Sequence, residues 1–202
     1  TRYISVTGVQ TCALPIYLAI INDELLSELN DTDAFVYLKL SFDGPSKIHD
    51  YIRYKCNFDE VYDNISYVSK TYKNIKFSVN SNIQIFNVGY AVETMQAIHQ
   101  LEKDLNINIL QLTTVPIVNR PYLHPSILPD DIKKMYLEKL ESNTFQTTIR
   151  DSHQYIPTAI SMLKEQPRGD IRNFIEFTNE FDKIANTNIC EVLPEFKNIF
   201  GA

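Results

Sequence analysis

Three short runs rich in β-branched and aromatic residues, Phe35 to Phe42, Ile75 to Ile85 and Ile107 to Val115, punctuate the first half of the chain. Such residues suit pleated strands packed on a core. Between the runs, apolar residues recur every third or fourth position instead. Asp59 to Tyr72 sets Val61, Tyr62, Ile65, Val68 and Ser69 on one helical stripe, with Asn57 or Asp59 placed to cap its start. Ala91 to Leu105 repeats the pattern with Val92, Met95, Ile98, Leu101 and Leu105, and Asp23 to Leu29 reads as the tail of a further helix. Strand, helix, strand, helix, strand predicts parallel βαβ units, and right-handed crossovers would put both helices on one face, as in a barrel or part of one. An open doubly wound sheet has the same periodicity.

After Val115 the texture changes. Pro116, Pro121, Pro125 and Pro129 punctuate a stretch that neither a helix interior nor a central strand would tolerate. Three helical segments follow, Asp130 to Glu141, Tyr155 to Glu165 and Asp170 to Ala185. Asp170 is a candidate N-cap, and Ile171, Phe174, Phe177, Phe181 and Ile184 predict a buried aromatic stripe.

The first sixteen residues need separate treatment. Val6 to Ile16, V-T-G-V-Q-T-C-A-L-P-I, spell the translation of a common short-read sequencing adapter, so residues 1–16 are read as an artefact of library preparation. The native sequence is then expected to start near Tyr17, with coding sequence upstream of it lost. Tyr17 to Ile21 is apolar but too short to be read as a secretion signal.

Composition narrows the classes. At 44% hydrophobic and 22% charged residues, the chain has the balance of an ordinary globular domain, and no run of eighteen apolar residues predicts a membrane span. A formal net charge of −6 argues against a general nucleic-acid binder, which needs a basic footprint. With Cys12 inside the adapter segment, Cys56 and Cys190 remain; two distant cysteines make neither a disulfide framework nor a zinc or iron–sulfur ligand set. Free thiols and a cytoplasmic location are expected.

In parallel α/β architectures chemistry gathers at the carboxyl ends of the strands. The first strand ends in Ser41-Phe42-Asp43-Gly44-Pro45, and Arg53 follows on a short helix or turn. Gly44-Pro45 forces a sharp exit, which would leave Ser41 and Asp43 facing the mouth of the sheet. A serine hydroxyl and a planar guanidinium converging there could hold a carboxylate. The residues alone leave a plainer reading open: Asp43 capping the next turn, with Arg53 on a solvated face.

The same block resembles radical S-adenosylmethionine enzymes of the group with SPASM or twitch extensions. S-F-D-G-P, then His49-Asp50, Ile52-Arg53 and Phe58, is similar to the fourth barrel strand of that family and the segment behind it. A weaker likeness returns in Phe181 to Ile184 and Glu191 to Phe196, which look like the tail of twitch-type members. The resemblance implies a fragment of a partial (βα)6 TIM-like barrel over residues 17–120, with a proline-rich loop and helical extension over 121–202. It implies that Ser41 and Arg53 hold the methionyl carboxylate of S-adenosylmethionine, with Asp43 beside them. In the parent, a [4Fe–4S] cluster and a reductant such as flavodoxin or ferredoxin would cleave S-adenosylmethionine to a 5′-deoxyadenosyl radical that abstracts hydrogen from a peptide or small molecule. Asn80 on the second strand and Gln111 on the third are candidates to touch the adenosine or the substrate.

The departures are specific. The C-x-x-x-C-x-x-C loop that binds the cluster is absent from the sequence, and Tyr54 stands where the family has glycine after the arginine. This polypeptide alone is therefore expected to be inactive and, with its early strands missing, aggregation-prone. The alternative is a non-catalytic α/β module that binds a peptide or nucleotide. Asn82, Gln84 and Thr113 are further polar strand positions that could touch a ligand or one another. His49-Asp50 lacks a third metal ligand and reads as a turn or helix start, while His99 and His153 fall on helices and His124 in the proline loop. Neither a phosphate-binding glycine loop nor a G-x-S-x-G elbow occurs.

Overall fold

The computed structural model describes residues 22–31 and 36–201. The adapter-like segment and Tyr17 lie outside the described residues, as does Phe35. The chain runs through α1 (Asp23–Asn30), β1 (Val36–Ser41), α2 (Ser46–Ile52), α3 (Phe58–Thr71), β2 (Ile75–Ile83), α4 (Ala91–Leu105) and β3 (Ile109–Pro116). Then come short 3-10 turns in the proline segment, α5 (Asp130–Glu141), α6 (Tyr155–Lys164), α7 (Ile171–Ala185), and the single turns α8 (Ile189–Val192) and α9 (Lys197–Phe200).

Among the described residues the fold is mixed α/β, with a three-stranded sheet in the order β1-β2-β3 and both pairings parallel. Helical connections between adjacent parallel strands are what the sequence periodicity predicts. Local signals set the helix boundaries. Asn57 accepts from the Asp59 amide at 3.0 Å to open α3, and Asp170 accepts from the Arg172 amide at 2.8 Å to open α7. Asn106 and Asn186 end α4 and α7 in the left-handed conformation that asparagine tolerates.

The two faces of the sheet differ. Val36, Leu40, Ile75, Phe77, Val79, Ile109 and Leu112 are buried and belong to one apolar cluster that continues through Val61, Ile65 and Val68 of α3 and Met95, Ile98 and Leu101 of α4. On the same parity, Ser81 meets the Tyr155 hydroxyl of α6 at 2.8 Å, and α4 packs on both α3 and α6. The alternate positions are polar and mostly half-buried: Lys39 and Ser41 on β1, Asn80 and Asn82 on β2, Thr113 on β3. A one-residue irregularity in β3, between the Phe77–Ile109 and Val79–Leu112 pairs, fixes the side on which Gln111 and Thr113 emerge.

The aromatic stripe of α7 is narrower than its spacing predicts. Phe174 is fully buried and Thr178 joins it, while Ile171, Phe177 and Phe181 are half-buried and Ile184 is 69% exposed. Only its central turn reaches the core. Phe174 there meets Phe86, Phe196 and Phe200.

Candidate functional site

The candidate site lies at the carboxyl ends of β1 and β2. After Ser41 the chain keeps the ladder for one more bond, from the Phe42 amide to the Asn80 carbonyl at 2.9 Å, and then breaks away. Gly44 makes the break at φ +155°, and a Cβ there would lie 2.9 Å from Ile48 Cγ2, so the turn and the close approach of α2 both call for glycine. The Phe42 side chain turns inward against His49 and Phe58, with ring centroids 5.6 and 5.4 Å away. Ser41 and Asp43 are left on the opposite parity.

Arg53 returns at the end of α2 and its Nη2 lies 2.6 Å from Asp43 Oδ2, with the side chains only 10% and 2% exposed. The other oxygen, Oδ1, accepts from the Asn82 amide at 2.7 Å. This excludes the plainer reading: Asp43 caps no helix, since Pro45 precedes α2, and Arg53 is not on a solvated face. Burial raises the Asp43 carboxyl above its ordinary range, and the Arg53 charge and the Asn82 amide act against that rise. The ion pair uses Nη2, whereas Arg53 Nε is closed off from water with no hydrogen-bond acceptor among the described residues.

Two further residues hold this rim. Asn87, 1% exposed, donates from Nδ2 to the Asp43 carbonyl at 2.6 Å and the Asn82 carbonyl at 2.7 Å, while its Oδ1 accepts from the Gln84 amide at 2.8 Å. One amide thus ties the exit of β1 to the exit of β2. His49, also 1% exposed, accepts from the Asp43 amide at Nδ1, 3.3 Å away, which leaves its proton on Nε2, 3.5 Å from Cys56 Sγ. Burial first, then the Arg53 charge, pushes the His49 pKa down to about 3. A lone asparagine in a loop gives no sequence signal. His49 has one only as part of the motif, where its neighbour Asp50 points elsewhere and accepts from the Phe58 amide at 2.9 Å.

The other sequence candidates fall into place around this rim. Register pairs Ser41 with Asn80, and Asn80 with Thr113, so the three form one polar row across the sheet. Ser41 and Asn80 make no side-chain hydrogen bond among the described residues, and no contact there joins Ser41 to Arg53. Asp43 has both oxygens engaged, so it positions Arg53. Gln111 donates to Asp151 Oδ2 at 2.7 Å. Gln84 is buried at the turn that Asn87 closes, with its amide on Asn87. Among the described residues no group of three or more His, Cys, Asp and Glu side chains could hold a metal ion, and Cys56 and Cys190 are free thiols.

No protein-family model, curated protein or solved structure matches the chain.

Proposed function

We propose that the chain is a portion of a radical S-adenosylmethionine enzyme, a part of a (βα)6 partial barrel in which the rim above Ser41, Asn80 and Thr113 takes the methionyl end of S-adenosylmethionine. Residues 6–16 are, on this reading, translated adapter. The observation that carries the proposal is Arg53: a buried guanidinium at the carboxyl end of a parallel strand, oriented by Asp43, with its Nε–H lacking an acceptor. A buried donor without a partner costs about 1–3 kcal/mol, so an arriving carboxylate is favoured there. Ser41, one pleat before Asp43 and with its hydroxyl free of hydrogen bonds among the described residues, supplies a second donor at the same rim.

The described residues fit the carboxylate of S-adenosylmethionine and do not fit a [4Fe–4S] cluster, because three converging thiolates are needed and the described residues carry two separate cysteines. In an intact parent, cofactor and cluster together would supply the radical chemistry. The residues here bind and orient. Asp43 fixes the plane of the guanidinium, Asn87 fixes Asp43, and neutral His49 holds the Asp43 amide without adding a second positive charge.

Binding of S-adenosylmethionine by equilibrium dialysis tests the assignment. Ser41→Ala is expected to weaken binding by about ten-fold, the loss of one hydrogen bond to a charged group. Arg53→Lys keeps the charge facing Asp43 but loses the planar fork, and a greater loss is expected. Binding unchanged in both variants would remove the assignment. No binding by the unsubstituted chain would instead favour an α/β module for a peptide or nucleotide.

A further inference from the structure

We infer that the polar face of the sheet carries a second anion-binding site, one pleat below the rim, built on Lys39 and Ser78. The two residues are paired in register across β1 and β2, so their side chains leave the same face. They lie two residues before Ser41 and Asn80, roughly 7 Å along the strands. Lys39 is half-buried and has neither an ion pair nor a hydrogen bond among the described residues. Other lysines on this side of the chain are engaged: Lys76 Nζ donates to the Lys73 carbonyl at 2.9 Å. Beside Lys39, Ser78 is 3% exposed and its Oγ has no hydrogen-bond partner among the described residues.

Charge decides what fits. The polar positions of the three strands, Lys39, Ser41, Lys76, Ser78, Asn80, Asn82, Gln111 and Thr113, include two ammonium groups and no carboxylate. Two acids near this face are occupied, Asp43 by Arg53 and the Asn82 amide, and Asp151 by Gln111 of β3 and, at 3.8 Å, Arg150. A partly desolvated ammonium without a counter-ion and a buried hydroxyl without an acceptor are both relieved by one anionic oxygen group. The ligand class is therefore a carboxylate or phosphate borne by a small molecule lying on this face. The inference needs only the polar face of the sheet and stands whether or not the rim takes S-adenosylmethionine.

Calorimetric titration of the full chain with inorganic phosphate, and separately with succinate, at ionic strength matched with chloride, tests it and separates the two sources of anion. Saturable binding of one of them is expected, weakened at least ten-fold in Lys39→Met, weakened less in Ser78→Ala, and unchanged in Lys76→Met. Absence of saturable binding, or equal weakening in Lys39→Met and Lys76→Met, overturns the inference. So does binding by Lys39→Met at wild-type strength. Should that variant misfold, acylation of Lys39 by limiting acetic anhydride in the wild-type chain reports directly: the bound anion is expected to slow it, and an unchanged rate overturns the site.

Discussion

At the scale of single residues, His49 makes the strongest case for physical chemistry over motif. Its imidazole accepts from the Asp43 amide and cannot do so when protonated, and it lies in the field of Arg53. With a folded pKa of about 3 against an ordinary 6.5, the unfolded chain binds a proton in that interval and the folded chain refuses it. Stability from this group is thus complete above about pH 6.5 and declines as pH falls toward 3, with a slope approaching about 1.4 kcal/mol per pH unit. Asp43 works in the opposite sense, because its raised pKa lets the folded state take a proton first. Denaturant melts at pH 6.5 and pH 5 are expected to differ by about 2 kcal/mol from His49 alone. His49→Gln, which keeps an acceptor but does not titrate, is expected to remove that part of the difference. An equal slope in the variant would place the proton elsewhere.

At the scale of elements, the rim depends on a loop residue. Asn87 satisfies two carbonyls and one amide at the exits of β1 and β2, and all three partners lie in buried or half-buried backbone. Asn87→Ala is expected to cost about 3 kcal/mol in chemical unfolding, since truncation leaves several buried polar groups unsatisfied. A loss under about 1 kcal/mol would mean that the exits hold themselves. This scale also separates what the sequence makes legible from what it does not. The helix α4 lies where its three-and-four spacing puts it, because apolar periodicity and packing agree there. Ile184 continues the stripe of α7 and is nonetheless exposed, because periodicity says which side of a helix is apolar but not where its neighbours stop. Spacing alone pairs Ser41 with Arg53 as a candidate clamp, yet the partner Arg53 takes is Asp43. That choice follows from the break at Gly44 and from burial, which spacing does not encode.

At the scale of the whole molecule, the C-terminal segment is tied back to the α/β core by a few half-buried polar contacts. Tyr90 and Tyr136 both donate to Glu195 Oε1, at 2.9 and 2.5 Å, and burial together with that carboxylate raises both phenol pKa values. Tyr51 of α2 donates to Asp182 Oδ1 of α7 at 3.0 Å, and the other oxygen of Asp182 accepts from the Ile189 amide at 2.9 Å. Phe174 and Phe196, both fully buried, belong to the same apolar cluster as the strands, so the extension and the sheet share one core. Glu195→Ala strips the acceptor from two tyrosine hydroxyls. It is expected to cost about 3 kcal/mol and to speed hydrogen exchange in α8 and α9 ahead of α3. Uniform acceleration throughout the chain would contradict a local tie.

The central claim is that Arg53, aimed by Asp43, presents its fork to the carboxylate of an adenosyl amino acid. The wild-type chain answers this in one comparison, the affinities for S-adenosylmethionine and for 5′-methylthioadenosine, which keeps the nucleoside and lacks the amino-acid end. A preference of at least ten-fold for S-adenosylmethionine is expected, abolished in Arg53→Lys, as the loss of a bidentate charged contact requires. Equal affinity for the two ligands would contradict the account.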